Sequence, residues 1–578
     1  MSVSVKNNSS QLSPQTGPQV APQMPPKVTV GKIGSKKSFP ANPIVNSTEF
    51  MVSTPHQLAS EAAEKILKNG GNAVDAAVTA HLVLSVTTPE ATGIGGGGFL
   101  NVYDNKQKKA IIYDARETAP AQITETEFVN KDGTIPSYTE SVSGGRAVGV
   151  PGIVKGLKEM HENHGNLEWK DLFMPAIDAA ENGFKMPKRL HSTLQKKTHY
   201  SRLSESSKRY YRSDGSLKAI GEIVKNPELA NTLKQIAFKG IDSFYSGDIA
   251  KDIVDTATKT AIFPGKITLS DLENYKVIKR DPAEITYKNF KLYAPPAPSS
   301  GGIAVLQALK LLEPFNLAQY DANDLRAETL INNAIRLAYR DRDQVIGDPD
   351  FVKVDQEKLL SKDYLAPKQD SLSKTDKALE KEKTQPTPIE LSDNTSHSSF
   401  MDQYGNGVSM TTSVEYALGS GLETKSGFIL NSTMCDFTLD GFKTKSPNKI
   451  EPNKRPRSAM CPIIAKNSKN DHLRLIIGSP GGPAIIGFLT RRIIDILDHG
   501  ILSNKASARP NYLPMSNDNT LEYEKDLMSE EEKAFLVKQN FKPVPADLWL
   551  SGFQIVEKDA GCLSGTADPR RDGVAIGG

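Results

Sequence analysis

Residues 395–415, TSHSSFMDQYGNGVSMTTSVE, decide how this chain is expected to fold. Their polar and apolar residues alternate on both sides of a Gly-Asn-Gly turn, which is the pattern of an antiparallel hairpin. The preceding residues, 367–394, contain no aromatic side chain, many charges of both signs and a pair of prolines near their end. That composition is typical of a solvated, flexible segment. The sequence therefore predicts a border between two parts of the chain at Thr395.

The hairpin is expected to bring hydroxyl groups together at its outer end. If it closes with Asp402 opposite Val408, Thr395 lies opposite Glu415, give or take two residues. Ser413 then lies one pleat away from that pair. A threonine at the start of a strand would thus face a second hydroxyl group.

A break of the Asn394–Thr395 peptide bond would give Thr395 a second reactive group. A free α-amine has a pKa of about 7.7–8.0 and can act as a base near neutral pH. Such an amine activates the hydroxyl of its own residue as a nucleophile. On these residues alone an ordinary alternative stays open, because threonine is also a good β-strand former.

The rest of the chain alternates helical and β patterns, which indicates a layered α/β sandwich. Residues 1 to about 45 are rich in Ser, Pro, Gln, Asn and Lys and are expected to form a disordered tail. Residues 46–394 and 395–578 follow as the two parts of the fold. NAVDAAVTAHLVLSV, residues 72–86, predicts a buried helix, and FLTRRIIDILDHG, residues 488–500, predicts an amphipathic helix.

Composition argues against several kinds of partner. The charge count of 71 − 68 = +3 gives no reason to expect nucleic acid or an anionic membrane as a partner. Cys435, Cys461 and Cys562 are too few and too scattered for a disulfide framework or a zinc site. No apolar run approaches the ~18 residues of a spanning helix, and the start of the sequence lacks the apolar region of a signal peptide. The default expectation is a cytoplasmic location.

Several motifs occur in a specific order along the chain. They are GGNAVDAAVTAHLVLSVTTPEATGIGGGGFLNVY, DARETAPA, VGVPGIVKGL, APPAPSSGGIAVLQAL, RLAYRDRDQVIGDPDF, NTSHSSFMDQYGNGVSMTTS, GFILNSTMCDF, PNKRPRSAMCP, IGSPGGP and SGTADPRRDGVAIG. At these residues the chain resembles the γ-glutamyltranspeptidase family of N-terminal nucleophile hydrolases. The resemblance runs from about Phe50 to Gly578.

The resemblance implies a proenzyme whose two products jointly form a four-layer αββα sandwich. Thr395 would attack the carbonyl carbon of Asn394, and the ester that results would be opened by water. In the mature heterodimer Thr395 would take the γ-glutamyl group of glutathione or related compounds and pass it to water, an amino acid or a dipeptide. Neither a metal nor another cofactor is implied.

The resemblance also implies roles for single residues. Arg116 would bind the α-carboxylate of the donor, since a guanidinium fork fits a carboxylate. Asp436 would pair with the donor's α-ammonium group, and the Ser458 hydroxyl would reach the α-carboxylate. Gly481 and Gly482 would supply the N–H pair of an oxyanion hole.

Other positions depart from the pattern of better-known transpeptidases. Ser413 takes the place of a threonine that hydrogen-bonds the nucleophile, and a serine hydroxyl can do the same. Near the donor, Glu415 replaces Asn, Thr433 replaces Gln or Glu, and Ala459 replaces Ser. The stretch between Phe437 and Lys454 lacks the tyrosine-bearing lid of many bacterial members.

These departures leave alternatives to the transpeptidase function. One is an acylase-like amidase of the same family that cuts a glutaryl-type amide. The other is a non-catalytic homologue that acts by binding. Retention of Thr395, Arg116, Asp436 and both glycines argues against the second alternative.

Three further patterns are weaker signals. Gly93–Gly98 formally fits a dinucleotide-binding motif, but a helical pattern precedes it and a strand pattern follows, so a packing turn is expected. His161 and His164 are expected at the C-terminus of a helix rather than in a metal site. His397 shares a strand face with Thr395 and is expected to be structural.

Overall fold

The computed structural model describes residues 38–196, 205–380, 394–514, 519–546 and 551–578. The strands within these ranges, numbered in chain order, are β1 Val45–Ser47, β2 Met51–Thr54, β3 Gly97–Asp104, β4 Lys109–Ala115, β5 Phe184–Lys185, β6 Ile223–Val224, β7 Ile278–Arg280, β8 Ala283–Tyr287, β9 Phe290–Ala294, β10 Thr395–Met401, β11 Gly407–Ser413, β12 Ile463–Asn467, β13 Leu473–Gly478, β14 Tyr512–Pro514, β15 Thr520–Glu524, β16 Lys542–Ala546, β17 Gln554–Asp559, β18 Cys562–Ala567 and β19 Val574–Gly577.

The α-helices are numbered in the same way. They are α1 Gln57–Lys68, α2 Ala73–Thr87, α3 Tyr138–Ser141, α4 Ile153–His164, α5 Met174–Asn182, α6 Lys188–Gln195, α7 Pro227–Lys239, α8 Asp242–Tyr245, α9 Asp248–Thr258, α10 Leu269–Asn274, α11 Ser300–Leu312, α12 Leu325–Val345, α13 Gln356–Leu360, α14 Lys362–Ser373, α15 Gly441–Thr444, α16 Ile485–Leu497, α17 Ser503–Ala508 and α18 Glu530–Lys538. None of these described helices is long and apolar enough to cross a membrane.

Two seven-stranded antiparallel sheets form the centre of the molecule. One has the strand order β19-β2-β10-β11-β3-β4-β7, and the other has the order β1-β18-β17-β13-β12-β9-β8. Strands from before and after Thr395 occur in both sheets, so both parts of the chain are needed to build either one. Strands β14, β15 and β16 form a separate small sheet near the C-terminus.

The two large sheets pack face to face, and each carries helices on its outer side. Strands β10 and β11 of the first sheet contact β17 and β13 of the second, through an apolar layer that includes Tyr103, Tyr293 and Ile476. Helices α1, α2 and α4 cover the first sheet, and α11 and α16 cover the second. This arrangement confirms the expected four-layer αββα sandwich.

Helix α2 shows why its sequence has no amphipathic stripe. Every residue from Ala73 to Thr87 is buried, because the helix lies between the hairpin strands and the outer helix α5. Asn72 caps its N-terminus in a reciprocal capping box with Asp75. The predicted buried helix is confirmed, and the predicted amphipathic helix at 488–500 is observed as Ile485–Leu497.

Strands β10 and β11 form the predicted hairpin, and their register lies at the edge of the expected range. Thr395 pairs with Ser413, two residues from Glu415 and within the stated tolerance of two residues. The reason lies in the turn, where the Asp402 carboxylate accepts the N–H groups of Tyr404 and Asn406 at 2.9 Å. These bonds close the loop between Asp402 and Asn406 and draw the two hydroxyl groups directly opposite each other.

The boundaries expected at both flexible segments need correction. The tail predicted for residues 1–45 includes a described portion: the N–H of Phe39 bonds the Ala508 carbonyl, and β1 begins at Val45. Residues 1–37 lie outside the described residues. The segment predicted for 367–394 begins within α14, and its residues 381–393 lie outside the described part of the chain.

Candidate active site

Thr395, the first residue of β10, lies at the centre of a buried hydroxyl network. Its Oγ1 is 3.3 Å from the Oγ of Ser413. The Ser413 hydroxyl donates to the carbonyl oxygen of Asn394 at 3.4 Å and accepts the N–H of Glu415 at 2.8 Å. With that donor role fixed, the hydrogen bond from Thr395 runs toward Ser413. One serine therefore connects the hydroxyl of Thr395 to the carbonyl just before it.

The glycine-rich turn before β3 allows the hairpin to pack closely. A Cβ atom on Gly96 would lie 2.1 Å from the carbonyl oxygen of Ser413, and one on Gly98 would lie 2.5 Å from that of Thr411. Helix α2 precedes this turn and β3 follows it, in agreement with the expected packing turn. The turn thus holds the Ser413 end of β11 in place.

His397 fixes the middle of the hairpin rather than acting on Thr395. Its Nδ1 lies 2.8 Å from the Thr411 hydroxyl and its Nε2 lies 3.1 Å from the Ser399 hydroxyl. The ring packs against Gly478 of the other sheet, where a Cβ atom would lie 2.3 Å away. Burial lowers the pKa of His397 to about 3, so the ring is neutral at ordinary pH.

Arg116 supplies the buried positive charge of the site. It follows β4 and is 1% exposed, and its guanidinium bonds Asp436, Glu117 and the carbonyl of Pro456. The contact to Glu117 is 3.2 Å long. Burial opposes the charged form, but the nearby carboxylates outweigh burial and raise the pKa of Arg116. The guanidinium is therefore permanently charged.

Glu415 and Asp436 form a hydrogen-bonded pair of acids beside that arginine. Burial first, and then the charge of Asp436, raise the pKa of Glu415 well above its ordinary value. The raised pKa favours the protonated form of Glu415, which can donate to Asp436, while Tyr138 donates to Glu415 at 3.3 Å. Its φ of +76° lies in the left-handed region, which is strained for a glutamate.

The same cluster contains three side chains of types that can bind a metal ion. Possible ligand atoms of Glu415, Cys435 and Asp436 lie within 4.8 Å of one another. The guanidinium of Arg116 already contacts Asp436, so an arginine fills the cationic role there. These residues fit a charged organic group better than they fit a metal ion.

Ser458 is carried next to Arg116 by a short bridge to the segment before α11. Its carbonyl accepts the N–H of Ser300 at 2.7 Å, and its hydroxyl accepts the N–H of Met460 at 3.1 Å. The carbonyl of the preceding Arg457 lies 3.5 Å from the Arg116 guanidinium. Asn448 ties this segment to the Asp436 turn, because it bonds both the Asp436 carbonyl and the Arg457 N–H.

Gly481 and Gly482 lie in the turn between β13 and α16. Their φ angles are +134° and +53°, which favour glycine at both positions. Arg571 connects this turn to the nucleophile, since it packs on Gly552 beside Pro480 and donates to the Thr395 carbonyl at 3.4 Å. The residue before Gly481 thus lies near Arg571, which in turn contacts Thr395, and the oxyanion role of the two glycines remains a prediction.

Some residues around Arg116 and around the Asn394–Thr395 bond were not singled out in the sequence. Glu117 follows Arg116 directly in DARETAPA, and Arg571 lies within PRRDG. Arg189, at the start of α6, donates to the Asn394 side chain at 3.5 Å and has no motif of its own. Glu117 could have been proposed from the sequence, because a buried Arg116 needs a negative partner. Arg189 could not, because only the tertiary fold places it next to Asn394.

Comparisons with known proteins identify the family of this chain. The model of the gamma-glutamyltranspeptidase family matches residues 59–578. The glutathione hydrolase proenzyme of Bacillus subtilis strain 168 is 36% identical over 550 residues, which covers 91% of each chain. The structure of cephalosporin acylase from Bacillus halodurans has a TM-score of 0.80 at 24% identity and covers 96% of this chain and 99% of its own. The gamma-glutamyltranspeptidase of Pseudomonas nitroreducens complexed with L-DON has a TM-score of 0.51 at 37% identity and covers 55% of this chain and 92% of its own. The chain described here belongs to the gamma-glutamyltranspeptidase family.

Proposed function

We propose that this chain is a proenzyme that cuts its own Asn394–Thr395 bond and then hydrolyses or transfers the γ-glutamyl group of glutathione and related amides. The observation that carries the proposal is the Ser413 hydroxyl, which contacts both the Oγ1 of Thr395 at 3.3 Å and the carbonyl oxygen of Asn394 at 3.4 Å. These are the two atoms whose charges change when a threonine attacks the preceding carbonyl.

The cleavage step follows from this relay. As Oγ1 of Thr395 bonds to the carbonyl carbon of Asn394, its proton passes to Ser413 and the Ser413 proton passes to the carbonyl oxygen. The C–N bond then breaks, the nitrogen of Thr395 takes up a proton, and an ester remains. Water opens the ester to give the carboxylate of Asn394 and the free hydroxyl of Thr395. The whole step consumes one water molecule and requires no cofactor.

The freed α-amine of Thr395 makes the mature enzyme competent for turnover. The amine takes the proton of its own hydroxyl as Oγ1 attacks the γ-carbonyl of the donor. The leaving amine departs with that proton, and a γ-glutamyl ester forms on Thr395. Water, or the amine of an amino acid or dipeptide, then attacks the ester and regenerates the enzyme. Backbone N–H groups at Gly481 and Gly482 stabilise the negative charge on the oxygen in both steps.

The Arg116–Asp436 pair supports a γ-glutamyl donor over a glutaryl donor. A glutamyl head group carries one carboxylate and one ammonium, so it can replace the internal ion pair with two new ones. A glutaryl group would bind Arg116 and leave Asp436 with only the hydrogen bond from Glu415. A buried carboxylate that loses its cation is costly, so the zwitterionic donor is favoured.

The experiment compares Thr395→Ala and Thr395→Ser with the unchanged chain. Thr395→Ala should remain a single chain and release no aniline from a γ-glutamyl anilide, whereas Thr395→Ser should retain slow cleavage and turnover. Thr490→Ala is the matched control, because Thr490 is an equally buried threonine whose hydroxyl bonds only within α16. A Thr395→Ala chain that still splits or turns over substrate would refute the proposal.

A further inference from the structure

Two arginines contact the residues on either side of the scissile peptide bond. Arg189 donates through Nη2 to the side-chain oxygen of Asn394 at 3.5 Å. Arg571 donates through Nη1 to the carbonyl oxygen of Thr395 at 3.4 Å. One arginine therefore contacts the residue before the bond, and the other contacts the residue after it.

The two arginines belong to one connected unit. The N–H of Arg189 bonds the carboxylate of Asp572, the residue that follows Arg571, at 3.2 Å. Arg571 also bonds the Ser551 carbonyl at 2.9 Å. The preceding residue, Arg570, is fully buried and is paired with Glu524 and Asp568. The C-terminal loop that carries Arg571 is thus fixed, and it fixes the start of α6 in turn.

Glu90 lies between these arginines and has no role in the donor pocket. It is 0% exposed, and within the described part of the chain neither of its carboxyl oxygens has a hydrogen-bond partner. The nearest cation is the Nε of Arg189 at 3.9 Å. Arg571, Asp572 and the buried Tyr210 also act electrostatically on this group. A buried carboxyl group that accepts no hydrogen bond needs an explanation in a folded protein.

We propose that Glu90, Arg189 and Arg571 form a maturation clamp that positions the Asn394–Thr395 bond for self-cleavage. The proposal rests on the self-cleavage proposed above. Attack on the Asn394 carbonyl requires a fixed angle and distance, and a loose residue at this position would meet them only rarely. Arg189 restrains Asn394 through its side chain, and Glu90 restrains Arg189 by ion pairing. Once the Asn394–Thr395 bond is cut, the position of Asn394 no longer affects the reaction, so Glu90 and Arg189 act on maturation alone.

The clamp should also respond to pH. Burial raises the pKa of Glu90 to about 7, against the opposing charges of Arg189 and Arg571. Above that value the Glu90 carboxylate pairs with Arg189 and tightens the clamp, and below it the carboxyl is neutral. The rate of cleavage should therefore rise through about pH 7 more steeply in the unchanged chain than in Glu90→Gln.

The experiment follows newly synthesised full-length chain in a translation extract and measures the rate at which the 395–578 fragment appears. Arg189→Ala should slow cleavage about tenfold, and Arg189→Lys should recover part of that loss. Combining Arg189→Ala with Asn394→Ala should slow cleavage no more than the slower single change, because both remove the same contact. Arg212→Ala is the control, since Arg212 is an exposed arginine that pairs with Glu222 away from this site.

A second readout separates positioning from general damage. After maturation is complete, Arg189→Ala should keep kcat/KM within about twofold. Arg571 still contacts Thr395 in the mature enzyme, so Arg571→Ala should lower the rates of both cleavage and turnover. Cleavage of Arg189→Ala at the unchanged rate, or fully additive effects of the two changes, would overturn the clamp. If Arg189→Ala does not fold, Arg189→Lys and Asn394→Ala test the same contact. Failure of the unchanged chain to cleave would instead refute the proposed function itself.

Discussion

The two ends of the β10–β11 hairpin differ in the groups that surround their acidic side chains. At the turn end, the carboxylate of Asp402 accepts N–H groups from Ala73, Tyr404 and Asn406, and also the side-chain amide of Asn406. At the outer end, Glu415, Asp436 and Glu117 are gathered around a single arginine, and Glu415 holds a left-handed backbone conformation.

The difference between the ends shows where stability and chemistry reside. At the turn, one negative charge is surrounded by donors, so the arrangement stabilises the fold. At the outer end three acids lie around Arg116, and we propose that the donor's ammonium group supplies the second positive charge there. The hairpin strands between the two ends are buried throughout. The register that is set at the turn therefore fixes the positions of Thr395 and Ser413.

The largest expected effect comes from the outer end. Arg116→Lys keeps the charge but loses the fork that a carboxylate requires, so kcat/KM for a γ-glutamyl anilide should fall about ten- to a hundredfold. Thermal stability should change much less than activity. Steady-state kinetics beside a melting curve measure both, and unchanged kinetics would show that Arg116 does not bind the donor.

A change at the turn end should do the reverse. Asp402→Ala leaves the N–H of Ala73 and the loop donors without their acceptor, so the free energy of unfolding should fall by about 3 kcal/mol. The fraction that folds should retain its kcat. Asp471→Ala, in the half-exposed turn between β12 and β13, is the control and should cost far less. An Asp402→Ala protein with intact stability but reduced kcat would contradict the division between the two ends.

His397, between the two ends, should appear in the acid stability of the protein. Its folded-state pKa is about 3, and in the unfolded chain it binds a proton near its ordinary pKa of 6.5. Its contribution is therefore present above pH 6.5 and declines as the pH falls toward 3. Between pH 7 and pH 5 this one histidine should remove about 2 kcal/mol of stability, at ~1.4 kcal/mol per pH unit below 6.5.

Urea unfolding at both pH values tests this assignment. His397→Gln should unfold more easily at pH 7 but should show a smaller decline between pH 7 and pH 5. His81, which burial likewise holds at a pKa of about 3, should remain and preserve part of the decline. An undiminished decline in His397→Gln would mean that the ring is not held neutral.

Local sequence predicted what local physics determines. The hairpin, the buried helix α2 and the order of helix, glycine turn and β3 all follow from residues within a few positions of one another. The register was predicted only to within two residues, and the observed pairing of Thr395 with Ser413 lies at that limit, since the side-chain bonds of Asp402 set the loop length and alternation alone does not. The sandwich, Arg116 and Asp436 were expected from the family motifs.

Contacts between distant segments could not be predicted in this way. The pKa of Glu415 is raised by burial and by Asp436, which lies twenty-one positions further on and is brought against it only by the fold. Arg189 contacts Asn394 although more than two hundred residues separate them in the sequence, and hydrophobic periodicity does not predict such a contact. Charge balance around Arg116 would have pointed to Glu117, but the choice of Asp436 as its second partner needed the fold.

The most direct test of the account is the identity of the fragments in purified protein. Intact mass and N-terminal sequencing of the smaller chain should give a fragment of 578 − 394 = 184 residues that begins Thr-Ser-His-Ser-Ser, from Thr395. Its appearance should parallel the gain of γ-glutamyl anilide hydrolysis over time. An active protein that remains one chain, or a small fragment that begins at any other residue, would contradict the assignment of Thr395 as the nucleophile.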